Sequence, residues 1–333
     1  MKVAFFSTKS YDKDSFDAYI PQHNHEFTFF EAKLENSTVA LAKGFDVVCS
    51  FVNDHLDKNN LSKLAEMGIN KIVLRCAGYN QVDLEKASKL GFKICRVPAY
   101  SPEAVAEYAL ALLLTLSRKT HKAYNRVREN NYSLEGLTGF NIHGKTVGVV
   151  GTGAIGRAFC KIMLGMGCNV LAHDIYEDDE LKKLGVVYLP IEELFSQSDI
   201  ISLHCPLTTD TFHLVNAKSL QLMKEGVALI NTSRGALIET KAVIKALKSR
   251  KVGNLGIDVY EQEEDLFFQN LSEEILLDED IARLMSFPNV LITGHQAFLT
   301  HEALAQIAQV TLQNLDELEA GIELTNEIKY KSV

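Results

Sequence analysis

Thr146-Val147-Gly148-Val149-Val150-Gly151-Thr152-Gly153-Ala154-Ile155-Gly156 is the stretch that decides the fold. A short β-type run enters a G-x-G-x-x-G pattern directly, and the residues that follow put Ile155, Phe159, Ile162, Met163 and Met166 on one helical face. Gly151 permits the tight turn, Gly153 lets backbone approach a pyrophosphate, and Gly156 lets the helix pack on the sheet. The helix N-terminus, at Ala154 and Ile155, offers free N–H groups to the anion. The next strand ends at Asp174, eighteen residues after Gly156, where an acid binds adenosine ribose hydroxyls. That carboxylate repels a 2′-phosphate, and Ile175 and Tyr176 supply no arginine to hold one, so NAD is expected rather than NADP.

Moving outward, the strand pattern continues at 170–174, 186–189, 200–204, 227–232, 255–259 and 290–293. An earlier series precedes it, with strands expected at 3–6, 27–30, 47–49, 72–74 and 93–96 and helices at 56–67 and 84–90. Such alternation means parallel sheets with crossover helices. Ser101-Pro102-Glu103 reads as a helix start, and one long helix is expected from there to about residue 128. Residues 129–144, with Gly136, Gly139 and Gly144, read as a loop. A last helix begins after Thr300 and is expected to return to the first domain, the second sheet being complete. The expected architecture is α/β: two doubly wound parallel-sheet domains with a cleft between them. A Rossmann-type dinucleotide domain covers 101–299, and a flavodoxin-like substrate domain is built from 1–100 and 300–333.

Composition narrows the function. The 333 residues are 47% apolar, enough for two cores. A net charge of −9 argues against a nucleic-acid footprint. Nine acidic residues and no Lys or Arg fall in 261–280, which reads as a solvated acidic loop. The longest apolar run, 104–116, contains Glu107 and is too short to span a membrane, for which ~20 residues are needed. The N-terminus reads as a strand rather than a signal peptide. Six scattered cysteines without a C-x-x-C pair suit a reducing, cytoplasmic compartment and suggest no metal site.

Three polar residues follow strands of the second series. Arg234 lies just after 227–232, an acid (Glu261 or Glu263) after 255–259, and His295 after 290–293. Ligands in open α/β sheets bind beyond the carboxyl ends of strands. Arginine offers a planar fork to a carboxylate, histidine passes a proton near neutral pH, and a carboxylate orients the imidazole and favours its charged form. Taken alone, each has a plainer reading: Arg234 as a surface pair, His295 as a structural histidine, either glutamate as part of the acidic loop.

The Gly151–Gly156 pattern, Leu203-His204-Cys205-Pro206-Leu207-Thr208, Asn231-Thr232-Ser233-Arg234-Gly235-Ala236-Leu237 and Gly256-Ile257-Asp258-Val259-Tyr260-Glu261 resemble the D-isomer-specific 2-hydroxyacid dehydrogenases. Arg75-Cys76-Ala77-Gly78-Tyr79-Asn80, Val97-Pro98-Ala99-Tyr100-Ser101-Pro102 and Gly294-His295-Gln296-Ala297-Phe298-Leu299 are similar to the narrower lactate dehydrogenase group. Ala297 stands where many members have glycine. The resemblance implies Arg234, Glu263 and His295 as catalytic residues, and it selects Glu263 over Glu261. It implies cofactor contacts at Ala154, Ile155, Asp174, Cys205, Pro206, Thr211, Thr232, Ser233, Arg234 and Asp258. It places substrate contacts at Ala77, Gly78 and Tyr100, besides Arg234 and His295, and it favours a pocket position for Phe298. It further implies NADH-linked reduction of pyruvate to D-lactate, D stereochemistry and a homodimer or higher homo-oligomer. A dehydrogenase of a bulkier 2-hydroxy acid and an NAD-sensing corepressor are the alternatives.

Overall fold

A computed structural model describes residues 1–330. The chain splits into two compact units, Met1–Ser101 together with the chain from Phe298, and Pro102–Ala297. Each is built on a wholly parallel sheet.

The first unit has strands β1 (Lys2–Phe5), β2 (Glu26–Phe29), β3 (Val47–Ser50), β4 (Lys71–Leu74) and β5 (Lys93–Arg96), in the order β2-β1-β3-β4-β5. β3 is buried along its whole length, as expected of a strand covered on both faces. The helices Lys58–Glu66 and Leu84–Lys89 fall where the sequence places them, each capped by an aspartate (Asp57 and Asp83) accepting from first-turn N–H groups. The last helix, His301–Ala320, is capped by Thr300 and belongs to this unit, packing on the helix Ser10–Asp17 and on β4 and β5.

The second unit has β6 (Thr146–Val150), β7 (Asn169–His173), β8 (Val187–Tyr188), β9 (Ile200–Leu203), β10 (Val227–Asn231), β11 (Val252–Ile257) and β12 (Val290–Ile292). Their order is β12-β11-β10-β9-β6-β7-β8, so the winding reverses between β6 and β9. One core lies under Val243, Leu247, Ile281 and Leu284; the other lies under Leu112, Leu116, Phe159 and Met163. Both faces are thus covered, and the strand ends at the reversal remain for a ligand.

The long helix expected from 101 to 128 is two helices, Pro102–Arg118 and Thr120–Arg128, broken at Lys119 with φ of 53°. The break has a cause. Ser117 O, which would continue the ladder, accepts from Phe140 N at 3.1 Å, and a Cβ on Gly139 would stand 2.1 Å from that same oxygen. The glycine lets the following loop take the carbonyl away from the helix. Among the described residues, no helix is long and apolar enough to cross a membrane.

Candidate active site

The glycine loop at the end of β6 is shaped by what it lacks. Gly151 has φ of 91°, and an added Cβ would come within 2.7 Å of backbone at His204 and Cys205. A Cβ on Gly156 would fall 1.9 Å from Gly151 O. Gly153, the N-cap of the helix Ala154–Gly165, differs: nothing lies within 4 Å of its Cβ position, and no side chain caps the helix. The N–H groups of the first turn at Ala154 and Ile155 therefore face an open cradle, which suits a pyrophosphate. Asp174 completes this corner. Its Oδ2 accepts from Thr152 N at 2.5 Å and from the Thr152 hydroxyl at 3.2 Å, and its Oδ1 accepts from Tyr176 N at 3.0 Å. The carboxylate is thereby fixed beside the glycine loop, while Ile175 and Tyr176 stand exposed. These residues fit a dinucleotide.

Across the winding reversal, Cys205 is buried, its thiol pushed up to about 11 by burial. Its carbonyl accepts from Ser233 Oγ at 2.7 Å, which joins the ends of β9 and β10. The Thr211 hydroxyl donates to Pro206 O at 2.7 Å and folds the loop between them. The Thr232 hydroxyl is buried and without a partner among the described residues.

Arg234 follows β10 in a turn held by Asn231, whose side chain accepts from Ser233 N at 3.0 Å and donates to Arg234 O at 2.9 Å. Its guanidinium is half-buried and donates to Ser233 O at 2.7 Å. Asn231 lay inside a quoted motif, yet only its two bonds reveal it as the brace of this turn.

His295 sits after β12 with φ of 54°, a conformation uncommon for any residue but glycine. The fold holds it there through Asp258. The Asp258 carbonyl accepts from His295 N at 2.7 Å. Its carboxylate accepts from the Thr293 hydroxyl at 2.6 Å, Gln296 N at 3.0 Å and Ala297 N at 2.7 Å. Burial raises the Asp258 carboxyl above its ordinary value, and these donors only partly offset that effect. The Asp258 carboxylate is thus engaged with the turn that carries His295.

Two of the glutamates after β11, Glu261 and Glu263, part company. Glu263 Oε1 meets His295 Nδ1 at 2.8 Å, and its Oε2 accepts from Tyr260 N at 2.8 Å. Glu261 turns away to His213 and Thr240. Phe268, itself at φ of 63°, lays its ring 5.5 Å from the imidazole. The acidic stretch Asp265-Leu266-Phe267-Phe268 resembles the lactate dehydrogenase group, but that resemblance gave Phe268 no role; its place next to His295 depends on the conformation of the acidic loop.

The remaining residues belong to the first unit. Ala77 and Gly78 follow β4, and both carbonyls are held from within: Arg96 Nη1 donates to Ala77 O at 2.7 Å, and the Cys76 thiol to Gly78 O at 3.2 Å. Phe298 is 8% exposed, its ring centroid 6.1–6.5 Å from those of Tyr11, Phe51 and Tyr100. Sequence reading named Tyr100 and Phe298 but missed Tyr11, in the first turn of the helix Ser10–Asp17, and Phe51, just after β3.

A nucleotide fold carrying an acid-paired histidine and an arginine at its strand ends defines a class of NAD-linked dehydrogenases. Residues 110–297 match the model of the D-isomer specific 2-hydroxyacid dehydrogenase, NAD binding domain. The chain belongs to this family and is an NAD-dependent D-2-hydroxyacid dehydrogenase. It is 51% identical over 328 residues to the D-lactate dehydrogenase of Escherichia coli, covering 98% of this chain and 100% of the relative. The apo-structure of that enzyme superposes with a TM-score of 0.90 over 98% of this chain and 100% of its own, at 49% identity. A structure described as the pyruvate reductase of Chlamydomonas reinhardtii gives 0.93 at 43% identity, with 98% of each chain covered.

Proposed function

We propose that this chain is a D-lactate dehydrogenase that reduces pyruvate to D-lactate, reversibly, with Arg234, Glu263 and His295 as its catalytic residues. The observation that carries the residue assignment is the bond from Glu263 to His295 Nδ1, on the same sheet edge as Arg234. Near-complete coverage of the Escherichia coli D-lactate dehydrogenase supports the substrate.

The cofactor is held by the glycine loop at Gly151, Gly153, Ala154, Ile155 and Gly156, by Asp174, and by Cys205, Pro206, Thr211, Thr232, Ser233 and Asp258. When bound, NADH supplies the hydride that C2 of the substrate accepts. Arg234 takes the substrate carboxylate in its fork and polarises the carbonyl. With Nδ1 engaged by Glu263, His295 acts through Nε2: protonated, it gives this proton to the carbonyl oxygen as C2 is reduced, and it is left neutral. Glu263 stabilises the imidazolium beforehand, and in lactate oxidation the same proton returns to Nε2. Ala77, Gly78, Tyr100 and Phe298 are the substrate contacts that the family resemblance assigns to the first unit. The first unit then serves as the substrate domain and Pro102–Ala297 as the NAD domain. A cytoplasmic homodimer completes the reading.

The test is NADH oxidation with pyruvate, 2-oxobutyrate, 2-oxoisocaproate and phenylpyruvate, and NAD reduction with D- and L-lactate. The highest kcat/KM is expected with pyruvate, with turnover of D-lactate only. An optimum at the larger acids overturns the substrate, and NADH binding without turnover of any 2-oxo acid overturns the enzyme reading in favour of a sensor.

A further inference from the structure

Glu261 is the glutamate that the catalytic reading leaves without a task, and its side chain is only 18% exposed. Its Oε1 meets His213 Nε2 at 2.6 Å; its Oε2 accepts from the Thr240 hydroxyl at 2.8 Å and from Thr240 N at 3.2 Å. Burial pushes this carboxyl up, but the bonds from His213 and Thr240 outweigh it and hold the group below the ordinary glutamate value. Thr240 opens the helix Thr240–Lys248, so the carboxylate also lies at the positive end of a helix that begins elsewhere in the chain. A part-buried carboxylate–imidazole contact contributes little to stability by itself. What distinguishes this one is which segments it ties.

His213 lies in the loop after β9, downstream of Pro206 and Thr211. Its backbone N donates to Ala236 O at 2.9 Å; Val215 N donates to Leu237 O and Glu239 N to Val215 O, so 213–215 runs stitched along 236–239. His213 is held at φ of 51° with its ring stacked 3.9 Å from that of Phe212. The turn carrying Arg234 continues into Gly235, where an added Cβ would fall 2.0 Å from the Tyr260 carbonyl carbon and 2.4 Å from Glu261 N. The Arg234 turn therefore rests directly on the Tyr260–Glu261 peptide. The N–H at the near end of that segment, on Tyr260, holds Glu263, which in turn holds His295. The Glu261 side chain fixes the other end.

We infer that Glu261 and His213 form a positioning pair that sets Arg234 relative to the Glu263–His295 couple and ties both to the loop after β9. Neither touches substrate in this arrangement; Glu261 acts through Arg234 and Glu263. The inference rests on the proposed roles of those residues.

A double-mutant cycle on the full-length enzyme tests it. Glu261→Gln keeps the shape and an acceptor for Thr240 but loses the carboxylate that meets His213. It is expected to lower kcat for pyruvate by about tenfold, while NADH affinity by fluorescence titration stays within about twofold. In an Arg234→Lys background, where the fork is already misplaced, the further loss from Glu261→Gln should shrink to less than about threefold, because residues acting as one unit are not additive. A full tenfold loss in both backgrounds, or a fall in NADH affinity matching the fall in kcat, makes Glu261 a general structural residue and overturns the inference. His213→Asn should reproduce the Glu261→Gln effect, and an unaltered kcat there also overturns the pair. Hydrogen exchange of the free enzyme separates this outcome from failure of the lactate assignment. Glu261→Gln should speed exchange in both 233–240 and 258–263 whatever the substrate proves to be, and unchanged protection in either segment breaks the tie itself.

Discussion

The two halves of the second sheet's carboxyl edge are built on opposite rules. Beside β6 and β7 the site is made by omission. Gly151 and Gly156 exclude any Cβ, Gly153 leaves space, and, Asp174 apart, the binding groups are backbone N–H. Beside β10, β11 and β12 the site is made by attachment. Arg234 is braced by Asn231, His295 by Asp258 and Glu263, and the imidazole is carried on a residue at positive φ. The first half tolerates no addition and the second no removal. Backbone sites are therefore robust to chemistry but brittle to volume, and side-chain sites the reverse.

The largest expected effect is at the attached half. His295→Gln should lower kcat by ~10²–10⁴-fold while leaving NADH affinity unchanged, the range of a lost general acid. Stopped-flow hydride transfer with NADH titration measures both. A loss below tenfold would remove His295 from proton transfer and level the comparison. Glu263→Gln should fall between His295→Gln and wild type.

Addition at the glycine half comes next. Gly156→Ala should cost about 1–3 kcal/mol in urea unfolding, since the new methyl meets backbone that cannot swing aside, and should weaken NADH with it. Gly153→Ala should unfold like wild type and still weaken NADH, because its methyl projects only into the cradle. Equal stability losses in the two variants would mean that the open space at Gly153 plays no part in binding.

Asp174→Ala is the one removal in the glycine half. Losing a charged acceptor for ribose is worth ~1.5–3 kcal/mol, about a ten- to hundredfold rise in NADH KM, together with relaxed discrimination against NADPH. Wild type using NADPH as readily as NADH would contradict the reading of this carboxylate.

The smallest effect concerns His204, half-buried behind the glycine loop with its Nε2 2.8 Å from Ser202 Oγ. Burial lowers its pKa from 6.5 to about 3. The unfolded chain therefore takes the proton first, so the contribution is whole above pH 6.5 and is lost as pH falls toward about 3. His204→Asn should flatten the decline of the urea midpoint across that window, and a parallel decline in both proteins would assign the acid limb to other groups.

The contrast also explains what the sequence disclosed. The glycine half is local: strand, turn, helix and acid lie within 146–174, and each is written as residue type and spacing. The attached half depends on partners far apart in the chain. Glu261 and Glu263 are indistinguishable by pattern. Their fates are decided by Thr240, His213, Tyr260 and His295, up to 48 residues away. Most strand positions were legible because buried parallel strands are apolar runs. The break at Lys119 was not, since the group that diverts Ser117 O is Phe140, in the loop that follows the second helix. Tyr11 and Phe51 beside Phe298 were hidden for the same reason.

The placement of the last helix has a consequence for how the chain is made. Asn314 donates to Arg96 O at 2.9 Å, His25 meets Asp316 at 3.0 Å, and Cys95 pairs with Glu327 in an antiparallel bridge. The N-terminal sheet is thus sealed by residues that leave the ribosome only after the whole second unit. At ~5–20 residues per second, the first hundred residues wait through translation of the entire second unit. Pro102–Ala297, being continuous, has every one of its strands in hand before Phe298 is added. Vectorial synthesis therefore inverts the order of the sequence: the second unit is able to mature first. Deletion of 314–327 should unravel the N-terminal sheet rather than the second unit.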